Sequence, residues 1–147
     1  MLIGFFDIQS LTKKLVLESS FSSIGAVEKM LDEIRDQQQI GEEKYAAIWI
    51  VLNEAITNAI RHGNKFDPAK KVRLNAKLIK SRYLRFRIKD EGDGFDPLSV
   101  PDPTSPERIT QPDGRGIFLM KKLSDDILYS DFGKTIEIIF DLQKSVD

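Results

Sequence analysis

The chain has 147 residues, of which 41% are apolar, and this composition suffices for the core of one domain. Its 22 basic and 23 acidic side chains give a formal net charge of -1, which argues against a protein that binds the phosphate backbone of nucleic acids. Cysteine is absent, which excludes disulfides, thiolate catalysis and cysteine-based metal sites and favours the cytosol. The single histidine, His62, excludes a multi-histidine metal centre.

No segment of the sequence predicts a membrane span or a secretion signal. The longest apolar run, residues 46–52, is far shorter than the ~20 residues that a spanning helix needs. The opening residues 1–6 lack a basic flank and are interrupted by Asp7. We therefore expect a cytoplasmic protein that forms a single domain over residues 1–147 and binds neither membrane nor nucleic acid.

The first half of the chain predicts one strand and two helices. Residues 14–18 are apolar between polar flanks, which indicates a strand, and Ser22 or Ser23 can then cap a helix over about 22–39. The second helix starts near Glu42, carries an apolar face, and runs to about His62, where Gly63 is a natural stop.

The second half predicts a hairpin, a long loop, a short helix and two more strands. Alternating apolar and polar residues indicate strands over 72–79 and 83–89. Five of the six prolines lie in residues 91–113, which predicts a loop long enough to be a functional lid or disordered. A helix should open at Ile117, with strands at 127–130 and 135–142 around a turn at Gly133. The order predicts an α+β two-layer sandwich, with helices on one face of a largely antiparallel sheet.

A polar stripe on the second helix is the first candidate site. Glu54, Asn58 and His62 follow one another at intervals of four residues, so they share a helix face. A carboxamide oxygen can ligate magnesium, and a carboxylate beside it can act as a base. A solvated face of an ordinary amphipathic helix has the same pattern, and on this spacing alone it is the better interpretation.

Two glycine-containing segments are further candidates. Asp90 ends a predicted strand and can accept a hydrogen bond from an amine, while Gly92 and Gly94 allow a ligand to approach the backbone. Gly114 and Gly116 precede the predicted helix, whose free amides attract phosphate. For the Asp90 segment alone a turn is the better interpretation, and a lone Gly-x-Gly before a helix is weak evidence. The order of these segments along one chain is nevertheless specific.

This succession resembles the N, G1, G2 and G3 boxes of the GHKL superfamily, which includes DNA gyrase, a mismatch-repair ATPase and histidine kinases. Within it, residues 54–63 (EAITNAIRHG) and 114–120 (GRGIFLM) are most similar to serine kinases that act as anti-sigma factors. The resemblance implies a Bergerat fold, in which a mostly antiparallel mixed sheet is covered on one face by about three helices. It also implies an ATP lid at 91–113, and residues 1–10 have no counterpart in it.

The resemblance also implies a role for each matching position. Glu54 would be the general base and Asn58 the magnesium ligand. The residues expected at ATP are Asn58, Asp90, Gly92, Gly94, Gly114, Arg115, Gly116 and Thr135, with Asp90 at the adenine amine and Thr135 on the floor of the adenine pocket. Arg108 in the lid has no assigned role, and Arg115 is equally compatible with a solvated surface position. His62 is expected to be structural.

The resemblance predicts a protein-serine kinase that uses ATP and Mg²⁺. Its substrate would be a small anti-anti-sigma protein, it would also hold a sigma factor inactive, and a homodimer is compatible with this reading. Two alternatives stay open. One is a switch in which bound nucleotide alters partner affinity without phosphotransfer, and the other is a stand-alone catalytic domain of the histidine-kinase type.

Overall fold

The computed structural model describes residues 11–94 and 112–146, with residues 112–115 described by their backbone alone. The predictions for residues 1–10 and for nearly all of the lid, Arg108 included, lie outside these ranges. Within them, no helix is long and apolar enough to cross a membrane.

Five strands form one sheet in the order β1-β2-β3-β5-β4. Their bounds are Thr12–Glu18 (β1), Lys71–Ile79 (β2), Tyr83–Lys89 (β3), Asp126–Ser130 (β4) and Thr135–Asp141 (β5). Every pair of neighbouring strands among them is antiparallel, which confirms the predicted α+β sandwich with a mostly antiparallel sheet. The reason for this pairing is the connectivity, because two helices lie between β1 and β2 and bring the chain back in the opposite direction.

The buried apolar side chains of the strands share one face of the sheet. In β2, Val72, Leu74, Ala76 and Leu78 are buried, while the residues between them point away from the core. The register places Leu74 opposite Leu15 of β1 and Ile88 of β3, which aligns the apolar rows across the sheet. The opposite face is polar and charged, so the helices cover one face only, as the sequence predicted.

Two helices follow β1. Helix α1 spans Ile24–Gln38 after a short 3₁₀ turn, and α2 spans Glu42–Asn58. The prediction that Ser22 or Ser23 caps α1 was wrong, because the Ser23 hydroxyl donates to the carbonyl of Glu18 instead. The predicted end of the second helix was right, but its last five residues, Ala59–Gly63, form a π-helical segment.

The third helix, α3, spans Pro112–Leu123 and therefore begins earlier than Ile117. Proline at the first helical position forfeits no hydrogen bond, because the amides of the first turn have no partner within a helix. Gly114 and Gly116 consequently lie inside the first two turns of α3 and do not precede them. This corrects the predicted helix start and moves the C-terminal end of the predicted lid into the helix.

An ion pair joins the β2–β3 turn to the end of β5. The guanidinium of Arg82 donates to both carboxylate oxygens of Asp141, at 2.9 and 2.8 Å, and the Arg82 carbonyl accepts from the backbone N–H of Leu142. These hydrogen bonds from Arg82 lower the pKa of Asp141 to about 2. Because this pKa is lower in the folded chain, ionised Asp141 stabilises the fold above its ordinary pKa, and the contribution disappears as the pH falls towards 2.

Asp141→Asn should remove this pH-dependent contribution. At pH 7 the variant should unfold at a lower urea concentration than the wild type, and the gap should shrink between about pH 4 and pH 2.5. Urea unfolding followed by circular dichroism at both pH values measures it. Asp126→Asn is the control, since Asp126 is exposed and has no ion pair within the described residues. A gap independent of pH would contradict the assignment.

Candidate nucleotide site

The end of the π-helical segment rests directly on the segment that follows β3. A Cβ atom on Gly63 would lie 2.5 Å from the carboxyl carbon of Asp90, and one on Gly92 would lie 2.1 Å from the carbonyl oxygen of Gly63. Real Cβ atoms do not approach other atoms so closely. Glycine at both positions is therefore required for this contact, which sets Asp90 beside the C-terminal end of the helix.

Asn64 holds the two segments together. It is only 1% exposed, and its amide nitrogen donates to the Ser19 hydroxyl at 2.9 Å and to the Lys71 carbonyl at 3.0 Å. Its amide oxygen accepts from the backbone N–H of Glu91 at 2.7 Å. One buried side chain thus joins the residue after β1, the start of β2 and the residue next to Asp90.

Asp90 presents a half-buried carboxylate at this junction. Its backbone N–H donates to the Lys134 carbonyl at 3.0 Å, and one carboxylate oxygen accepts from the N–H of Gly92 at 2.8 Å. Burial raises the pKa of the Asp90 carboxyl, although the hydrogen bond from Gly92 and the positive charge of Lys134 oppose that rise. A buried carboxylate with unused acceptor capacity is suited to bind a donor such as an amine.

Glu54 lies where α2 packs against α3. A Cβ atom on Gly116 would lie 1.9 Å from Oε1 of Glu54, so the carboxylate occupies the space that any other residue at 116 would fill. Gly116 itself is buried in the second turn of α3. The predicted base and one of the predicted phosphate-site glycines are therefore in direct contact.

Asn58 has a buried oxygen without a partner. Its Oδ1 atom is shielded from solvent and makes no hydrogen bond within the described part of the chain. Asn58 lies one helical turn beyond Glu54, so both side chains belong to the same face of α2. An unpaired buried acceptor is costly, and a cation or an external donor would remove that cost. This oxygen fits the donor set that magnesium prefers.

His62 lies beyond the regular part of α2, which carries Glu54 and Asn58. It belongs to the π-helical segment Ala59–Gly63, where each turn takes in more residues than in an α-helix. His62 is exposed, and its ring accepts a hydrogen bond from the side chain of Arg61 at 3.3 Å.

The structure does not bring Thr135 to Asp90. Ile136 and Ile138 of β5 are buried under the helices, so Thr135 points to the opposite face of the sheet by alternation. There it lines a pocket of about 500 Å³ together with charged residues such as Arg73 and Arg87. The residue on the Asp90 side is Lys134, which the prediction missed although the alternation of β5 indicates it.

The other predicted positions fall at the edge of the same region. Gly94 has a φ of 79°, and a Cβ atom there would lie 2.4 Å from the Phe132 carbonyl oxygen, so glycine is needed where this segment meets the β4–β5 turn. The backbone of Gly114 lies in the first turn of α3, whose amides have no partner within the helix. The side chain of Arg115 lies outside the described part of the chain.

The structure combines a half-buried carboxylate beside glycines, an unpaired carboxamide oxygen and the first turns of a helix, and these are features expected of a nucleotide-binding α+β sandwich. The comparisons with known proteins agree with this class. The chain belongs to the family described as the histidine kinase-like ATPase domain, whose profile matches residues 17–140. The predicted resemblance to the GHKL superfamily is therefore confirmed, and the family implies the use of ATP.

The relatives with assigned roles are bacterial regulators. The chain is 32% identical over 110 residues to an anti-sigma F factor from Anoxybacillus flavithermus, a match that covers 70% of this chain and 73% of the relative. It is 27% identical over 122 residues to the serine-protein kinase RsbW of Bacillus licheniformis, with 78% and 76% covered. This agrees with the predicted branch of the superfamily.

Solved structures show the same fold. The RsbU and RsbW domains of a Mycobacterium tuberculosis protein match with a TM-score of 0.64 and 17% identity, over 90% of this chain and 32% of the other. This chain thus spans about a third of that longer one. The histidine kinase domain of a blue-light activated kinase from Erythrobacter litoralis matches with a TM-score of 0.53 and 19% identity, over 82% and 61%.

Gly92→Ala should destabilise the protein by about 1–3 kcal/mol, because the new methyl group would collide with the Gly63 backbone, which cannot move aside as a side chain can. Gly25→Ala in α1 is the matched control, since nothing lies within 4 Å of its Cβ position. That control should be neutral or stabilising by up to about 1 kcal/mol. Urea unfolding at pH 7 measures both, and equal stability of the two variants would contradict the contact.

Proposed function

We propose that this protein is an ATP-dependent protein-serine kinase of the anti-sigma type. It would transfer the γ-phosphoryl group of ATP to a serine of a small anti-anti-sigma protein and, in alternation, hold a sigma factor inactive in the cytoplasm. The names of the two relatives support this, since one is an anti-sigma F factor and the other a serine-protein kinase. The observation that carries the proposal is the unpaired buried oxygen of Asn58, one turn from Glu54.

The base of the nucleotide would bind at Asp90. Its half-buried carboxylate would accept from the exocyclic amine of adenine. Gly92 and Gly94 would support this position by allowing the segment after Asp90 to pack against the backbone of Gly63 and Phe132. The phosphates would lie near the first turns of α3, where Gly114 and Gly116 permit close approach to free amides. Thr135 is not part of this proposal, because it faces the other side of the sheet.

Magnesium would be held by Asn58. Its Oδ1 atom is an oxygen ligand of the type that this hard cation requires, and it has no competing donor within the described residues. When bound, the cation would neutralise charge on the phosphates. The neighbouring Thr57 hydroxyl is held against its own helix, because it donates to the backbone carbonyls of Asn53 and Glu54.

Glu54 would act as the general base. Its carboxylate would take the proton of the substrate serine while the serine oxygen bonds to the γ-phosphorus and ADP leaves. Contact with Gly116 holds this carboxylate at the start of α3, on the side where the phosphates are expected. The carboxylate and the phosphate-binding turn are thus kept together by the packing of α2 on α3.

Asp90→Asn should weaken ADP binding. Loss of the carboxylate acceptor leaves the adenine amine poorly paired, at a cost of about 1–3 kcal/mol, which corresponds to roughly 5- to 150-fold in the dissociation constant. Isothermal titration calorimetry with ADP and Mg²⁺ measures the change. Asp93→Asn is the control, since Asp93 is exposed and lies three residues further along. Equal affinity of Asp90→Asn and the wild type would refute this role.

Glu54→Gln should separate chemistry from binding. Glutamine keeps the size and hydrogen bonding but cannot take a proton, so phosphorylation should fall by about 10²- to 10⁴-fold with little change in ADP affinity. The assay uses radiolabelled ATP and the partner captured from host lysate by the ADP-loaded protein. Asn58→Ala should reduce both phosphorylation and affinity.

Glu43→Gln is the control for this experiment, because Glu43 is an exposed carboxylate in the first turn of the same helix. A Glu54→Gln protein that phosphorylates its partner at the wild-type rate would rule out this mechanism. The nucleotide-gated switch would then become the better account. Capture of neither a sigma factor nor a small phosphorylatable protein would instead contradict the proposed partners.

A further inference from the structure

Lys134 stands directly beside Asp90, the carboxylate that we propose binds adenine. Antiparallel pairing of β3 and β5 continues past their ends, because the N–H of Asp90 donates to the carbonyl of Lys134. Residues opposite each other in such a pair project from the same face of the sheet. Ile136 lies under the helices, so Lys134 projects to the side of the site.

The backbone of Lys134 is fixed at this position. Its carbonyl accepts from Asp90 and its N–H donates to the Asp131 carbonyl at 3.1 Å. Its side chain then runs over Gly94, since a Cβ atom there would lie 3.3 Å from Cγ and 3.4 Å from Cε of Lys134. The side chain that bears the ammonium group therefore lies along the segment with Gly92 and Gly94, which follows Asp90.

The ammonium group has no ion pair within the described part of the chain, and Lys134 is partly buried. Its positive charge nevertheless acts on Asp90, because it opposes the rise that burial causes in the pKa of that carboxyl. A carboxylate acceptor and an ammonium donor thus belong to paired positions on one face of the sheet. Adenine presents the complementary pair, since its amine donor is flanked by the acceptor nitrogens N1 and N7.

We infer that Lys134 is a second base-recognition residue, whose ammonium group donates a hydrogen bond to a ring nitrogen next to the adenine amine while Asp90 accepts from that amine. This inference rests on the proposed binding of ATP, but it concerns a residue that the sequence motifs passed over. Two adjacent contacts of opposite polarity fix the orientation of the base, which one contact alone does not.

Calorimetry with three nucleotides tests this inference. ADP, 1-deaza-ADP and 7-deaza-ADP are titrated with Mg²⁺ into the wild type, Lys134→Met and Lys70→Met. The wild type should bind ADP about tenfold to a hundredfold more tightly than one of the deaza analogues, because a charge-assisted hydrogen bond is lost. Lys134→Met should bind ADP about as weakly as the wild type binds that analogue. It should also bind ADP and that analogue with equal affinity.

Lys70→Met controls for charge alone, since the charge of Lys70 also lowers the pKa of Asp90. Lys70→Met should still bind ADP more tightly than the deaza analogue, as the wild type does. If Lys134→Met discriminates like the wild type, or if Lys70→Met loses discrimination equally, the hydrogen bond is refuted. Failure of the wild type to bind ADP would instead refute the proposed function. The Asp90→Asn titration measures the contact of Asp90 with the adenine amine separately from the contact of Lys134 with the ring nitrogen.

Discussion

The Asp90 side of the site depends on the contact between two backbone segments that have no side chains to separate them. Gly63 at the end of the helix and Gly92 after β3 approach so closely that a Cβ atom on either would overlap neighbouring atoms. Such a contact buries peptide groups, which must then find hydrogen-bond partners. The Asn64 side chain forms hydrogen bonds with three polar groups at this junction, which lowers the free-energy cost of burying them.

Much of the fold could be predicted from the sequence because each element has a simple period. The alternation in residues 72–79 and 83–89 gave the hairpin, and burial of every second residue in β2 is its physical cause. The apolar stripe of α1 likewise followed from spacing, with Val27, Leu31 and Ile34 fully buried. Glu54 and Asn58 were predicted to share a face because an α-helix fixes that geometry locally.

The misses have different physical origins. Nothing in residues 59–63 marks the π-helical segment that replaces the last turn of the predicted α-helix. Thr135 was assigned from a motif, whereas the face of its strand follows from the buried Ile136 beside it. The role of Asn64 was invisible, because its three partners come from three separate parts of the chain.

The two halves of the site are built on different physical supports, and this has consequences for function. The half proposed to bind adenine, with Asp90 and Lys134, is fixed by backbone hydrogen bonds that continue the sheet. The half proposed for catalysis depends on side-chain packing of α2 against α3, where Glu54 contacts Gly116. A shift of α3 would therefore change the position of Glu54 relative to the proposed phosphate-binding turn and leave the Asp90 side unchanged. We therefore expect that nucleotide binding and phosphotransfer can be altered separately.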